Sequence, residues 1–119
     1  MNYETQFLIM VNCNFDLGEF LNRLKEEWQD VKWVKRSSFD IANNWIQISK
    51  NDDYDPSRVL DPEDGFLHYR YRLEVSPITE NPSVIEQIKL ARMLKTRLED
   101  IGCLAIICAD FEELLDRDL

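Results

Sequence analysis

Hydrophobic and polar positions recur with two different periods along the chain, and the switches between those periods predict its elements. The run F-L-I-M-V at residues 7–11 is too short for a buried helix and apolar at successive positions, as in a strand covered on both faces. A strand over residues 3–12, interior to a sheet, is expected. Asp16 follows as an N-cap with Glu19 three residues on, and Phe15 before it can staple onto Phe20. Leu17, Phe20, Leu21, Leu24 and Trp28 then recur at helical spacing, with Glu19, Arg23, Lys25, Glu26 and Glu27 on the other faces. This predicts a helix from residue 16 to about 29.

Residues 31–50 return to a period of two and read as two strands or one long bent strand, with a tight turn at Ala42-Asn43-Asn44 because Asn tolerates left-handed backbone angles. Residues 66–76 carry the clearest strand signal. Leu67, Tyr69, Tyr71, Leu73 and Val75 alternate there with Phe66, His68, Arg70, Arg72 and Glu74, one row for a core and one for water. Beyond Pro77 and Pro82, Ser83 and Glu86 form an S-x-x-E capping box. Val84, Ile88, Ala91, Leu94, Leu98 and Ile101 continue as one helical stripe, closed by Gly102. The run C-L-A-I-I-C-A at 103–109 predicts a second interior strand, and Asp110 with Glu113 caps a short final helical turn reaching Leu115.

The order strand, helix, two or three strands, helix, strand leads to one α+β domain over residues 1–119. Its expected form is a ferredoxin-like two-layer sandwich: an antiparallel sheet with both helices on one face and the first and last strands in its middle. The other sheet face stays open and should carry His68, Arg70, Arg72 and Glu74.

Composition narrows the function. A chain of 119 residues with 45% hydrophobic content can bury a core without disulfides or metal, which excludes intrinsic disorder. No apolar run approaches the ~20 residues of a membrane span, and the first residues lack the cationic segment of a secretory signal, so a cytosolic protein is expected. Cys13, Cys103 and Cys108 each lie in or beside an apolar run and read as buried free thiols; Cys103 and Cys108, five apart on a strand, point to opposite faces and cannot share a metal. Three glycines leave no phosphate-cradling loop, and no cofactor motif is present.

Charge changes the picture most. The net charge is −9, and two segments hold all of the excess: residues 51–65 carry Asp52, Asp53, Asp55, Asp61, Glu63 and Asp64 against Arg58, and residues 110–119 carry Asp110, Glu112, Glu113, Asp116 and Asp118 against Arg117. Twelve acids and twelve bases fill the remainder. Concentrated negative charge repels nucleic acid and anionic membrane and attracts cationic protein. Asn51, Asp53 and Asp55 are spaced like the first ligands of a calcium loop, but Pro56 replaces the required glycine and Pro62 the closing glutamate. A loop of this length in a small domain is uncommon unless it has a function, and Tyr54, Val59 and Leu60 within it serve no purely solvating role. His68, the single imidazole, has no Ser or Cys nucleophile placed beside it, so no enzyme is expected. Trp33 and Trp45 read as core or as partner anchors; Trp28 reads as core.

With its acidic loop N-D-D-Y-D-P, the following D-P-E-D-G-F-L-H-Y-R-Y-R-L-E-V and the acidic end D-F-E-E-L-L, the chain resembles the small acidic immunity proteins that bacteria make against their own polymorphic or contact-dependent toxins. That resemblance implies a non-enzymatic inhibitor that binds a cognate toxin domain, often a basic nuclease; it transfers no individual residue roles. The partner-binding residues expected are the acids Asp52, Asp53, Asp55, Asp61, Glu63 and Asp64, with Tyr54 as the apolar anchor and Asp110, Glu112 and Glu113 as a second contact. The alternative is a dimeric ferredoxin-like ligand-binding or regulatory domain that pairs through its open sheet face.

Overall fold

The first apolar run folds as β1 (Phe7–Asn12), and the rest of the chain is arranged around it. The computed structural model describes residues 3–117, so Asp118 of the acidic end lies outside the described residues. After β1 come α1 (Leu17–Glu27), β2 (Lys32–Lys35), β3 (Ser38–Ile41), β4 (Asn44–Lys50), a 3-10 turn (Gly65–His68), β5 (Tyr71–Pro77), α2 (Val84–Asp100), β6 (Leu104–Ala109) and a 3-10 turn (Glu112–Leu114). The strands form one sheet in the order β2-β3-β4-β5-β1-β6, and every neighbouring pair is antiparallel.

This six-stranded sheet overturns the ferredoxin-like sandwich, and what stands is a compact α+β fold. Residues 31–50 supply three strands, because the chain reverses once between β2 and β3 and again at Ala42 and Asn43, whose φ angles are 49° and 60°. Two successive left-handed residues make the tight hairpin turn that matches strand twist. Asn44, read as part of that turn, is instead the first residue of β4. The final apolar strand is also corrected: β1 is interior, but β6 is an edge. On its core face, where Ala105 is buried, it packs against α2, while the opposite face leaves Leu104 51% and Ile106 39% exposed. Its backbone edge is partly covered, since Lys95 Nζ donates to the Ala105 carbonyl at 2.9 Å.

The 66–76 strand is shortened to β5 for a local reason. Asn51, buried just past β4, donates its side-chain amide to the carbonyls of Leu67 (2.9 Å) and Tyr69 (2.7 Å), which takes those acceptors from a ladder. Leu67 is consequently exposed, and His68 and Arg70 lie before the strand; Arg72 and Glu74 do occupy the face opposite the core.

Alternate residues of β1, β4 and β5 turn Phe7, Ile9, Val11, Ile46, Ile48, Leu73 and Val75 to one side. There they join Phe20, Leu21 and Leu24 of α1 and Ile88, Ala91, Leu94 and Leu98 of α2 in a single core. Phe20 stacks on Tyr71 at 5.0 Å, and buried Trp28 meets Phe39 edge-on at 5.7 Å. Both helices start as the capping signals require: Asp16 Oδ1 accepts from Glu19 N, and Ser83 Oγ from Glu86 N. Gly102, at φ 92°, closes α2. Trp33 is half-buried against Phe39, and Trp45 half-buried on the opposite face. No helix among the described residues is long and apolar enough to cross a membrane.

One polar pair lies within this apolar layer. Asn44 and Gln87 exchange side-chain hydrogen bonds at 3.0 and 2.9 Å, and their remaining amide hydrogens go to the carbonyls of Ala42 and Thr5. Four groups are thereby satisfied at once, joining α2 to β4 and to the segment entering β1. Gln87→Leu leaves the Asn44 oxygen and the Thr5 carbonyl without these donors and should cost about 2–3 kcal/mol. Adding Asn44→Leu should recover part of that loss, so urea denaturation of the two single variants and the double variant should show non-additivity.

Candidate functional site

The acidic loop between β4 and β5 is built from a succession of hydrogen-bonded turns. Asn51 N donates to Arg70 O at 3.0 Å, Tyr54 N to Asn51 O at 3.1 Å, and Asp53 N to Asn51 Oδ1 at 3.2 Å. Asp55 N reaches back to His68 O, and the next turns run Arg58 N to Asp55 O, Asp61 N to Arg58 O and Gly65 N to Asp61 O. Gly65 closes the loop by contact as well as by hydrogen bond: a Cβ there would lie 2.4 Å from the Val59 carbonyl oxygen, which only glycine tolerates.

Two of the loop acids contribute to its own order. Asp55 Oδ1 accepts from Ser57 Oγ at 2.7 Å and Ser57 N at 3.0 Å, and these donors hold its carboxyl below the usual carboxylate range. Asp61 pairs with Arg58 Nε at 3.1 Å on the surface. Asp52, Asp53, Glu63 and Asp64 are exposed. Tyr54, expected to be an apolar anchor, is 39% exposed and lies beneath the Arg70 guanidinium, 5.7 Å from its ring centre. Among the exposed large apolar side chains of the described residues Leu60 is presented most fully, at 85% exposure. The loop also folds back toward the sheet, where Val59, Asp61, Glu63, Phe66 and Ile106 border a cleft of ≈ 240 Å³.

The acids after β6 are differently disposed. The loop leaves β4 beside the Val11 end of β1, whereas Asp110 follows Ala109, which pairs with Phe7. The two acidic segments thus start at opposite ends of β1, roughly 20 Å apart. Asp110 does not cap a helical turn; its Oδ2 accepts from Glu4 N at 2.9 Å, and Glu113 Oε1 accepts from the Tyr3 hydroxyl at 2.8 Å, which raises the pKa of that phenol. Glu112 is exposed. Arg92 Nη2 donates to the carbonyls of Leu115 and Arg117, both at 2.6 Å, and so fixes the acidic end against α2. The structure therefore gathers Asp52, Asp53, Tyr54, Asp55, Asp61, Glu63 and Asp64 on one loop and sets Asp110, Glu112 and Glu113 apart from them.

His68 donates from Nδ1 to the Asp53 carbonyl at 3.1 Å, so the imidazole braces the loop. Asn51, Asp53 and Asp55 form no cation cage: the Asn51 oxygen serves a backbone N–H, and among the described residues no three His, Cys, Asp or Glu side chains gather as ligands. Sequence reasoning took Asn51 only as a calcium-like position and overlooked it as the organiser, and it named Leu60 beside Tyr54 and Val59 without distinguishing it as the exposed one. The single glycine ending the tract was a legible sign of close backbone approach. No protein-family model matches the chain, and comparison with curated proteins and with solved structures returns no significant match.

Gly65→Ala should cost about 1–3 kcal/mol, because a backbone carbonyl must move, and should speed hydrogen exchange at residues 54–65 ahead of the sheet. The Asp55 carboxyl should titrate below its ordinary value and return toward it in Ser57→Ala, as followed by carbon-detected NMR. Because its folded pKa is the lower one, its contribution to stability is present above the unfolded value and is lost as pH falls through the folded value.

Proposed function

We propose that this chain is a non-enzymatic protein-binding module, an immunity-type inhibitor that holds a cationic toxin domain through its acidic loop. The observation that carries this reading is the combination of exposed Asp52, Asp53, Glu63 and Asp64 with the 85% exposed Leu60 on a backbone fixed by Asn51 and Gly65. A pre-ordered loop loses little entropy on binding. Its charge accelerates encounter with a basic cleft that otherwise takes a polyanion, and an apolar side chain among the acids supplies the contact that slows release. Asp110, Glu112 and Glu113, at the far end of β1, form at most a separate contact.

A second reading rests on the edge strand. Leu104 and Ile106 of β6 are exposed on the face opposite the core, so two copies could pair there, as in a dimeric regulatory domain. Each copy carries −9, and Lys95 already occupies one backbone acceptor of that edge; both oppose pairing.

The test takes a cationic toxin domain captured with the protein and measures association by stopped flow over a range of salt. Asp52→Lys, Asp53→Lys and Asp64→Lys together should slow association strongly at low salt and much less at high salt, with folding stability nearly unchanged. Leu60→Ala should mainly speed dissociation. Unchanged rates and affinity in both variants would remove the loop from the interface, and concentration-dependent mass in sedimentation, lost in Ile106→Lys, would support the dimer.

A further inference from the structure

The last rung between β1 and β6 joins Asn12 to Leu104. One step further along each strand are Cys13 and Cys103, so the antiparallel register sets these residues opposite one another. Both are buried, and both lie on the core side with Val11 and Ala105. The Cys103 N–H donates to Leu98 O at 3.0 Å, where it closes α2, and so forms no rung with Cys13. Facing residues that exchange no backbone hydrogen bonds have the closer of the two antiparallel spacings, ~4.5 Å between Cα atoms, at the near end of the range a disulfide spans. Cys108 has no such neighbour: it pairs with Leu8.

We propose that Cys13 and Cys103 are a dithiol site that a hydroperoxide oxidises to an intramolecular disulfide. The proximity of the two thiols lowers the Cys13 pKa despite burial and, together with burial, raises that of Cys103. The two thiols titrate as a coupled pair, and the first proton to leave is assigned to Cys13, whose pKa is the lowered one. Its thiolate attacks the peroxide O–O bond, which breaks to give a sulfenic acid on Cys13 and release hydroxide or alkoxide. The Cys103 sulfur then attacks the Cys13 sulfur; the S–O bond breaks, the Cys103 proton leaves with the departing oxygen as water, and the S–S bond forms. Two thiols are oxidised and one peroxide is reduced, with no other reagent. Once Cys13 is a neutral sulfenic acid, the neighbouring charge that opposed ionisation of Cys103 is gone, so the second step follows readily.

The bond would tie the exit of β1, which leads into α1, to the entry of β6, which follows α2. It would therefore fasten both helix connections at the end of the sheet where the acidic loop is anchored.

The full chain is treated with hydrogen peroxide near neutral pH, alkylated after denaturation, and examined by intact mass and peptide mapping. Without peroxide all three cysteines should alkylate. With it, only Cys108 should, the chain should be lighter by two hydrogens before alkylation, a peptide linking Cys13 to Cys103 should appear, and a dithiol reductant should restore the starting mass. The oxidation rate should rise with pH, beginning below the range of an ordinary thiol, as the Cys13 thiolate forms. Thermal unfolding of the oxidised chain should shift upward by several degrees. Cys108→Ser should leave all of this unchanged. Three alkylated cysteines after peroxide, a bond that includes Cys108, a disulfide only between chains, or sulfinic acid at Cys13 with Cys103 still free would each overturn the proposal; none of these readouts requires a core cysteine variant to fold.

Discussion

A single buried asparagine decides where the sheet stops and where the charged loop begins. Asn51 uses its backbone N–H and carbonyl for Arg70 and Tyr54, its side-chain amide for the carbonyls of Leu67 and Tyr69, and its side-chain oxygen for Asp53. Aspartate would lack the two amide hydrogens, and alanine would leave both carbonyls without these donors beside the core. The hairpin from β4 to β5 is thereby kept from zipping further. The residues between are diverted into turns that end at Gly65, where only a hydrogen fits against Val59.

That constraint also sets what could be read from the sequence. Periodicity located α1 and α2 to within about two residues because each combines a helical stripe with its own N-cap, signals that are local and need no tertiary partner. It failed over residues 66–70, where the alternation is intact but Asn51, distant in sequence, removes the acceptors a strand would use. It failed again at β6, where the run is apolar although Leu104 and Ile106 are exposed on one face, and an apolar run carries no information about whether a neighbouring strand lies beyond it. The extra strand β2 came from a turn with no strong turn residue, Arg36-Ser37, and so passed as part of a bend.

The candidate site was legible as a charge anomaly, because uneven distribution of charge is visible in composition. Its geometry was not. Tyr54 was the natural anchor by residue type, and the structure adds that it lies beneath Arg70 at 39% exposure while Leu60, named in the sequence only as one of three apolar loop residues, is 85% exposed. The acids after β6 share only composition with the loop; two of them are engaged in holding residues 3 and 4.

The loop divides its labour between residues in a way that bears on how such a surface can change. The groups that shape it are few: Asn51 and Gly65, which are buried, and the surface Asp55–Ser57 pair; the side chains of Asp52, Asp53, Leu60, Glu63 and Asp64 protrude. Substitutions at the protruding positions can therefore accumulate without disturbing the turns or the sheet. A chain organised like this can drift from one ligand preference to another by small surface steps, each compatible with folding, and the same separation makes the tract a practical place to install randomised side chains for selecting new binding specificities.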